Sequence, residues 1–188
     1  MKSRPIVFNH FGIIGFGNMG VRYLKILKSI NKKYKVTIIR SKRKKNKKFE
    51  KEADFITNSI KKAVKHGIQC AIICSPASQH VAHAKALVRQ KIHFLMEKPI
   101  SNKTEEIVSL IKLTKKNKIK AEVGYVLKEL KSYTEIKRKI EKKNISSVYC
   151  EALSYLPDWR KEDYKTFNSV SKSLGGGALL ELSHEIDY

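Results

Sequence analysis

A chain of 188 residues is long enough for one full α/β domain with its own core and short for two, so any second domain within it is partial. Its formal charge of +23 comes from Lys spread along the whole chain; only SKRKKNKK, residues 41–48, is a block, and no aromatic residue interleaves it as base stacking requires, so the charge reads as solvated surface and not as a nucleic-acid site. No apolar run is long enough to span a bilayer, the N-terminus lacks a secretory cleavage site, and Cys70, Cys74 and Cys150 form neither a disulfide framework nor a metal set, so reduced core thiols in the cytoplasm are expected.

FGIIGFG predicts a first strand running into a glycine turn, and Met19 to Ile30 a helix with Val21, Leu24, Ile26, Leu27 and Ile30 at helical spacing. YKVTIIR, residues 34–40, predicts a β-branched second strand. Ser59 to His66 is a short helix, CAIICS a buried strand, and His80 to Gln90 a helix that follows Pro76. HFLME is a fourth strand, Thr104 to Lys116 a helix with Ile107, Leu110, Ile111 and Thr114 on one face, and AEVGY a fifth strand. This alternation of near-continuous apolar strands with helices predicts an α/β fold with a doubly wound parallel sheet covered on both faces.

After Tyr125 the pattern changes to a basic helix, Ser132 to Lys143, then SSVYCEALSY as a half-exposed strand, then the loop LPDWRKEDYKTFNSVSKSLGGG. Residues 1–127 are therefore expected to form one domain and 128–188 the start of a second, α+β one.

Gly15, Gly17 and Gly20 have the GxGxxG spacing, after a strand and opening an amphipathic helix, which is the context of a Rossmann-type dinucleotide site. The first glycine permits the tight turn, the second lets the backbone approach a diphosphate, and the third lets helix and strand pack closely, with Asn18 and Met19 between them at the helix N-terminus. NAD sites place an acid at the end of the second strand. Here Arg40, Ser41 and Arg43 offer cations and a hydroxyl to a 2′-phosphate, so NADP is favoured, with NAD as the alternative. In MEKPI, Pro99 ends the fourth strand and sets Lys98 at the carboxyl edge of the sheet, where open α/β sheets hold their ligands.

GIIGFGNMG, ICSPASQHVAHAKALVRQ, HFLMEKPI, AEVGY and GGGALLELSHEIDY, in that order, resemble the successive signatures of the Gfo/Idh/MocA family of NAD(P)-dependent oxidoreductases, which act mostly on sugars, sugar acids, cyclitols and nucleotide sugars. The resemblance implies that Ser75, Pro76, His80 and Glu97 lie at the cofactor and Lys98 beside both nicotinamide and substrate. It also implies that Glu181 and His184, on a helix of the second domain, complete the catalytic set. A His near neutral pKa can take the hydroxyl proton as hydride leaves, and a Lys cation can hold the oxygen. Glu181 and His184, at i and i+3, are expected to share a helix face.

There are departures. Leu180 stands where many members place an Asp four residues before the His, and Val126 and Lys128 stand where members often carry Asn and Arg after the Gly-Tyr of strand five. SYLPDWR with the glycine tract resembles a branch associated with surface polysaccharides and acidic sugars. The second domain is expected to be truncated, leaving the strand Val148 to Tyr155 with unpaired edges, so the isolated chain is expected to bind dinucleotide with little turnover. The alternatives are an inactive remnant, a module needing a separately encoded C-terminal half or a homo-oligomer, and, third, a basic nucleic-acid binder.

Overall fold

The computed structural model describes residues 7–41, 47–141, 144–159, 161 and 163–183. β1 (His10–Ile14) leads through the glycine turn into α1 (Asn18–Ile30), and β2 (Lys35–Ile39), the short α2 (Lys47–Glu50) and β3 (Phe55–Thr57) complete one half. α3 (Ile60–Lys65) crosses back. β4 (Cys70–Ile73), α4 (Ala77–Arg89), β5 (His93–Met96), α5 (Thr104–Lys116) and β6 (Ala121–Val123) make the other half. The six strands form one all-parallel sheet in the order β3-β2-β1-β4-β5-β6. β1 is central, with Gly12 opposite Thr37 of β2 on one side and Ala71 of β4 on the other.

Val36, Ile38, Ile39, Ile72 and Ile73 are buried because their strands carry apolar, β-branched residues on both faces. Right-handed crossovers place helices on opposite faces of the two halves. One core joins Ile14, Ile39 and Ile73 to α3, α4 and α5 through Ala63, Val81, Leu87 and Leu110; the other joins Ile13, Val36 and Ile72 to Leu24 and Leu27 of α1. Helix ends follow local chemistry. The Ser59 hydroxyl accepts the Lys62 N–H and starts α3, while α5 carries Glu105 and Glu106 in its first turn and Lys115 and Lys116 in its last, matching the helix dipole.

Several expectations are corrected. β3 makes a sixth strand at the edge; three residues are too few to show a period of two. α4 starts at Ala77, directly after Pro76. On the predicted helix faces Ile26, Ile30 and Ile111 are exposed, leaving Val21, Leu24, Leu27 and Leu110 as the buried contacts. Helices pack on both faces of the sheet as expected, with Ala121 and Glu122 of the edge strand β6 exposed.

Beyond β6 come a 3-10 turn (Val126–Glu129) and α6 (Lys131–Ile140). The expected strand from Val148 to Tyr155 is absent: the segment pairs with no strand among the described residues, and Val148, Tyr149, Leu153 and Tyr155 are exposed. An alternating pattern makes a strand only where a neighbouring edge accepts it. Cys150 lies in this segment and is exposed, not a core thiol, whereas Cys70 and Cys74 are half-buried. Short 3-10 turns between Leu156 and Leu174 then lead to α7 (Ala178–Glu181), burying Phe167 and Ser169 on the way. Among the described residues no helix is long and apolar enough to cross a membrane, and no group of three or more His, Cys, Asp or Glu could hold a metal.

Candidate functional site

The carboxyl ends of β4, β5 and β6 open onto a cleft of about 580 Å³ beside the point where the winding of the sheet reverses. Its near wall is α1, through Met19, Arg22, Tyr23 and Ile26, and the glycine turn leads into that helix. Gly15 has φ +86°, donates its N–H to the Ile39 carbonyl at 2.9 Å, and leaves no room for a side chain: a Cβ there would lie 2.7 Å from the Cys74 carbonyl oxygen and from the Ser75 nitrogen. A Cβ on Gly20 would fall on the Gly15 carbonyl oxygen, which is the close helix–strand packing expected there. Gly17 differs: nothing lies within 4 Å of where its Cβ would be. Its backbone is bare towards open space, and the first intrahelical bond of α1 runs from the Val21 N–H to the Gly17 carbonyl. The N–H groups of Asn18, Met19 and Gly20 thus stand at a helix start, the arrangement that receives an anion. A diphosphate fits this bare turn.

The β2 side departs from expectation. Arg40 ends β2, but its guanidinium is taken up inside the fold: Nη2 donates to Glu50 Oε2 at 3.0 Å, Nε lies 2.9 Å from Oε1, and both side chains are largely buried. An acid therefore does stand beside the end of β2, delivered by α2 and not by the strand. Ser41 is exposed, and Arg43 lies outside the described residues.

At the ends of β4 and β5 the expected residues come together. Ser75, Pro76, His80, Glu97 and Lys98 line the cleft, joined by Met19 and Tyr23 of α1 and by Gly124, Tyr125, Val126 and Leu127 after β6. Ser75 Oγ is 2.9 Å from His83 Nδ1. Both ring nitrogens of His80 face backbone carbonyls, Nδ1 that of Pro99 at 2.8 Å and Nε2 that of Ser75 at 2.6 Å. Glu97 Oε1 accepts from the Tyr23 hydroxyl at 2.6 Å. Burial, then the bond to Glu97, drives the Tyr23 phenol far above its usual value; burial, then Glu97, does the same to the Cys74 thiol. Burial, and after it the neighbouring His80, lowers the His83 imidazole. The inner cleft at neutral pH therefore holds a protonated phenol, a protonated thiol and, at His83, a neutral imidazole.

The far wall comes from the C-terminal segment. Asn168, Ser169, Leu174, Gly175 and Glu181 line it. Gly175 has φ +85°, and a Cβ on it would lie 2.6 Å from Ala77 Cβ, so the glycine tract lets this backbone press onto the start of α4. Across the cleft Lys98 Nζ donates to the Glu181 carbonyl and lies 3.6 Å from its Oε2. Two of the three residues expected to carry catalysis are thus in contact. His184 lies outside the described residues, as does its expected shared face with Glu181.

Tyr23, Cys74 and Glu50 escaped sequence reasoning. Met19, Tyr23 and Ile26 share an i, i+4, i+7 stripe on α1 that marks a second, cleft-facing side of that helix, a signal that would have found Tyr23. Asn168 and Ser169 sit in a loop with no periodic signal.

A family model described as the oxidoreductase family with an NAD-binding Rossmann fold matches residues 9–125. Comparison with curated proteins finds no match. Among solved structures, the chain resembles the WlbA dehydrogenase of Bordetella pertussis in complex with NADH and UDP-GlcNAcA, at TM-score 0.64 and 15% identity over 72% of this chain and 42% of that one. It resembles the UDP-N-acetylglucosamine 3-dehydrogenase GnnA of Acidithiobacillus ferrooxidans at TM-score 0.61 and 19% identity, over 72% and 44%. A scyllo-inositol dehydrogenase of Lactobacillus casei gives TM-score 0.60 and 19% identity, over 71% and 41%. At these identities the likeness is one of fold, and the chain spans 41–44% of the length of these three structures.

Proposed function

The chain belongs to the Gfo/Idh/MocA oxidoreductase family, and on that premise we propose that its cleft takes a nicotinamide dinucleotide together with the hydroxyl or carbonyl of a sugar or nucleotide sugar. Lys98 carries this reading: its ammonium stands inside the cleft at the end of β5, against Glu181, 83 residues further along the chain. The bound dinucleotide supplies the hydride donor or acceptor. The chain's residues do the rest. The glycine turn seats the diphosphate at the start of α1, and Ser75, Pro76 and Glu97 border the nicotinamide half across the switch point. Lys98 Nζ donates to the substrate oxygen and stabilises its negative charge as the O–H proton leaves, while Glu181 holds Nζ in place. His184 is assigned the taking and returning of that proton on its place in the sequence.

NADP is the proposed cofactor, because β2 runs out into Arg40 and Ser41 and the neighbouring carboxylate of Glu50 is turned onto the guanidinium. Fluorescence titration is expected to give saturable binding of both reduced cofactors, with a Kd for NADPH about tenfold below that for NADH. Equal or tighter NADH binding sinks the NADP assignment, and saturation by neither sinks the cofactor site. Lys98→Met is expected to cut hydride transfer to nucleotide-sugar substrates by about a hundredfold or more.

The exposed Val148, Tyr149, Leu153 and Tyr155 favour a second reading, a cofactor-binding module completed by another polypeptide or a second copy. Turnover of UDP-sugars or inositols by the chain alone at an ordinary enzymatic rate would refute it.

A further inference from the structure

We propose that His80 is a positioning residue that ties the turn after β4 to the turn after β5, so that the cleft floor at Ser75 and the Lys98 side chain move as one body. Its role in ligand binding rests on the cofactor site proposed above; its role as a tie does not.

The ring lies in the first turn of α4 and is 1% exposed. Its two polar atoms reach opposite ways, Nε2 to the carbonyl of Ser75, just before α4, and Nδ1 to the carbonyl of Pro99, the residue after Lys98; a carbonyl only accepts, so the two bonds stand together when both ring nitrogens carry hydrogen. The strand ladder does not join these turns. The β4–β5 register ends at Ile73 opposite Met96, the last backbone bond between the two runs from the Glu97 N–H to the Ile73 carbonyl, and beyond it the strands part to open the cleft. His80 takes over where the ladder stops.

A buried polar group is costly unless bonded, so a side chain that only filled this volume would be better apolar. His83, one turn further on, places Nδ1 at the Ser75 hydroxyl, so α4 grips Ser75 by both carbonyl and side chain. The hold on the Lys98 turn falls to His80. Because both ring nitrogens are on carbonyls, whatever His80 does for a ligand it does through Ser75 and Lys98.

Two substitutions separate the halves of the tie. Asn carries its amide nitrogen where His carries Nδ1, and Gln where His carries Nε2, so His80→Asn keeps the Pro99 contact and His80→Gln keeps the Ser75 contact. In the ligand-free chain, hydrogen exchange followed by mass spectrometry is expected to quicken in residues 74–79 for His80→Asn and in residues 97–103 for His80→Gln. Both variants are expected to bind NADPH about tenfold more weakly, the effect of one lost buried hydrogen bond, with affinity for 2′,5′-ADP, which reaches only the adenosine side, within about twofold of the parent.

If either variant keeps the parent's exchange and NADPH affinity, His80 serves one turn only and the tie is wrong. Failure of the parent to bind NADPH or NADH defeats the cofactor site, while exchange in the ligand-free variants still decides the tie. Should neither variant fold, the parent decides it: NADPH must protect residues 74–79 and 97–103 together, and protection of one without the other overturns the proposal.

Discussion

Gly15 and Gly17 are two residues apart, and the fold makes opposite demands on them. At Gly15 a methyl group meets backbone at 2.7 Å and the residue sits at positive φ, so Gly15→Ala is expected to destabilise the chain by about 2–4 kcal/mol in urea denaturation. At Gly17 a methyl group meets nothing within 4 Å, so Gly17→Ala is expected to leave stability within about 0.5 kcal/mol while weakening dinucleotide binding about tenfold or more. Loss of stability in both variants, or in neither, contradicts the division between a packing glycine and a ligand-facing one. The spacing of the three glycines and the duty of each were readable from the sequence; that Gly15 packs against Cys74 and Ser75 was not, because that depends on where β4 ends. The same limit hid Glu50, ten residues from Arg40 and brought to it by α2, and the Tyr23–Glu97 bond, which joins residues 74 apart.

Among the elements, strands with four or more apolar residues were legible because burial on both faces leaves a continuous run, as in Ile72 and Ile73 of β4. β3 and the missing strand at Val148 to Tyr155 mark the limit of that signal. Pairing with a neighbour makes three residues a strand in one case, and its absence unmakes eight in the other. β1 and α4 also carry the histidines His10 and His83, each held below its ordinary pKa chiefly by burial; in His10 the neighbouring His66 adds to this. The unfolded chain takes up a proton on each near pH ~6.5, whereas the folded chain does so only at lower pH. The unfolded state therefore binds more protons in that window, and stability present above it is lost as pH falls through it. Urea midpoints are expected to drop between about pH 7.5 and about pH 5.5; a flat profile would mean that the buried imidazoles protonate in place. Asp54 acts lower. Burial raises its carboxyl pKa, but the Val36 N–H and Lys28 outweigh that and hold it below the ordinary carboxylate value, so its contribution is lost only below about pH 4.

Taken as a whole the chain is unevenly built. From His10 to Val123 it is a layered sheet with two cores, whereas residues 144–155 lie exposed before the chain returns to pack Phe167 and Gly175 against the cleft. Chymotrypsin under native conditions is expected to cut first at Tyr149, Leu153 or Tyr155, leaving a fragment that spans the sheet; first cuts within β1 to β5 would contradict this layering. The helix–strand alternation stops near Tyr125, and β6, which ends at Val123, is the last strand among the described residues. Glu181 was expected opposite Lys98 from the family resemblance; that Asn168, Ser169 and Leu174 share the cleft's far wall was not legible, since it depends on a backbone close enough for Gly175 to touch Ala77.

The central place of β1 also orders events as the chain emerges from the ribosome. β1 is made before β2 to β6, and β2 can pair on one of its sides, with β3 beyond it, as soon as residue 57 is out. Its other side waits for β4, which ends at Ile73. For that interval the nascent chain presents an unpaired edge through Ile13 and Ile14, two residues destined to be wholly or almost wholly buried. The topology that makes a ligand cleft in the finished molecule thus exposes its stickiest strand during synthesis.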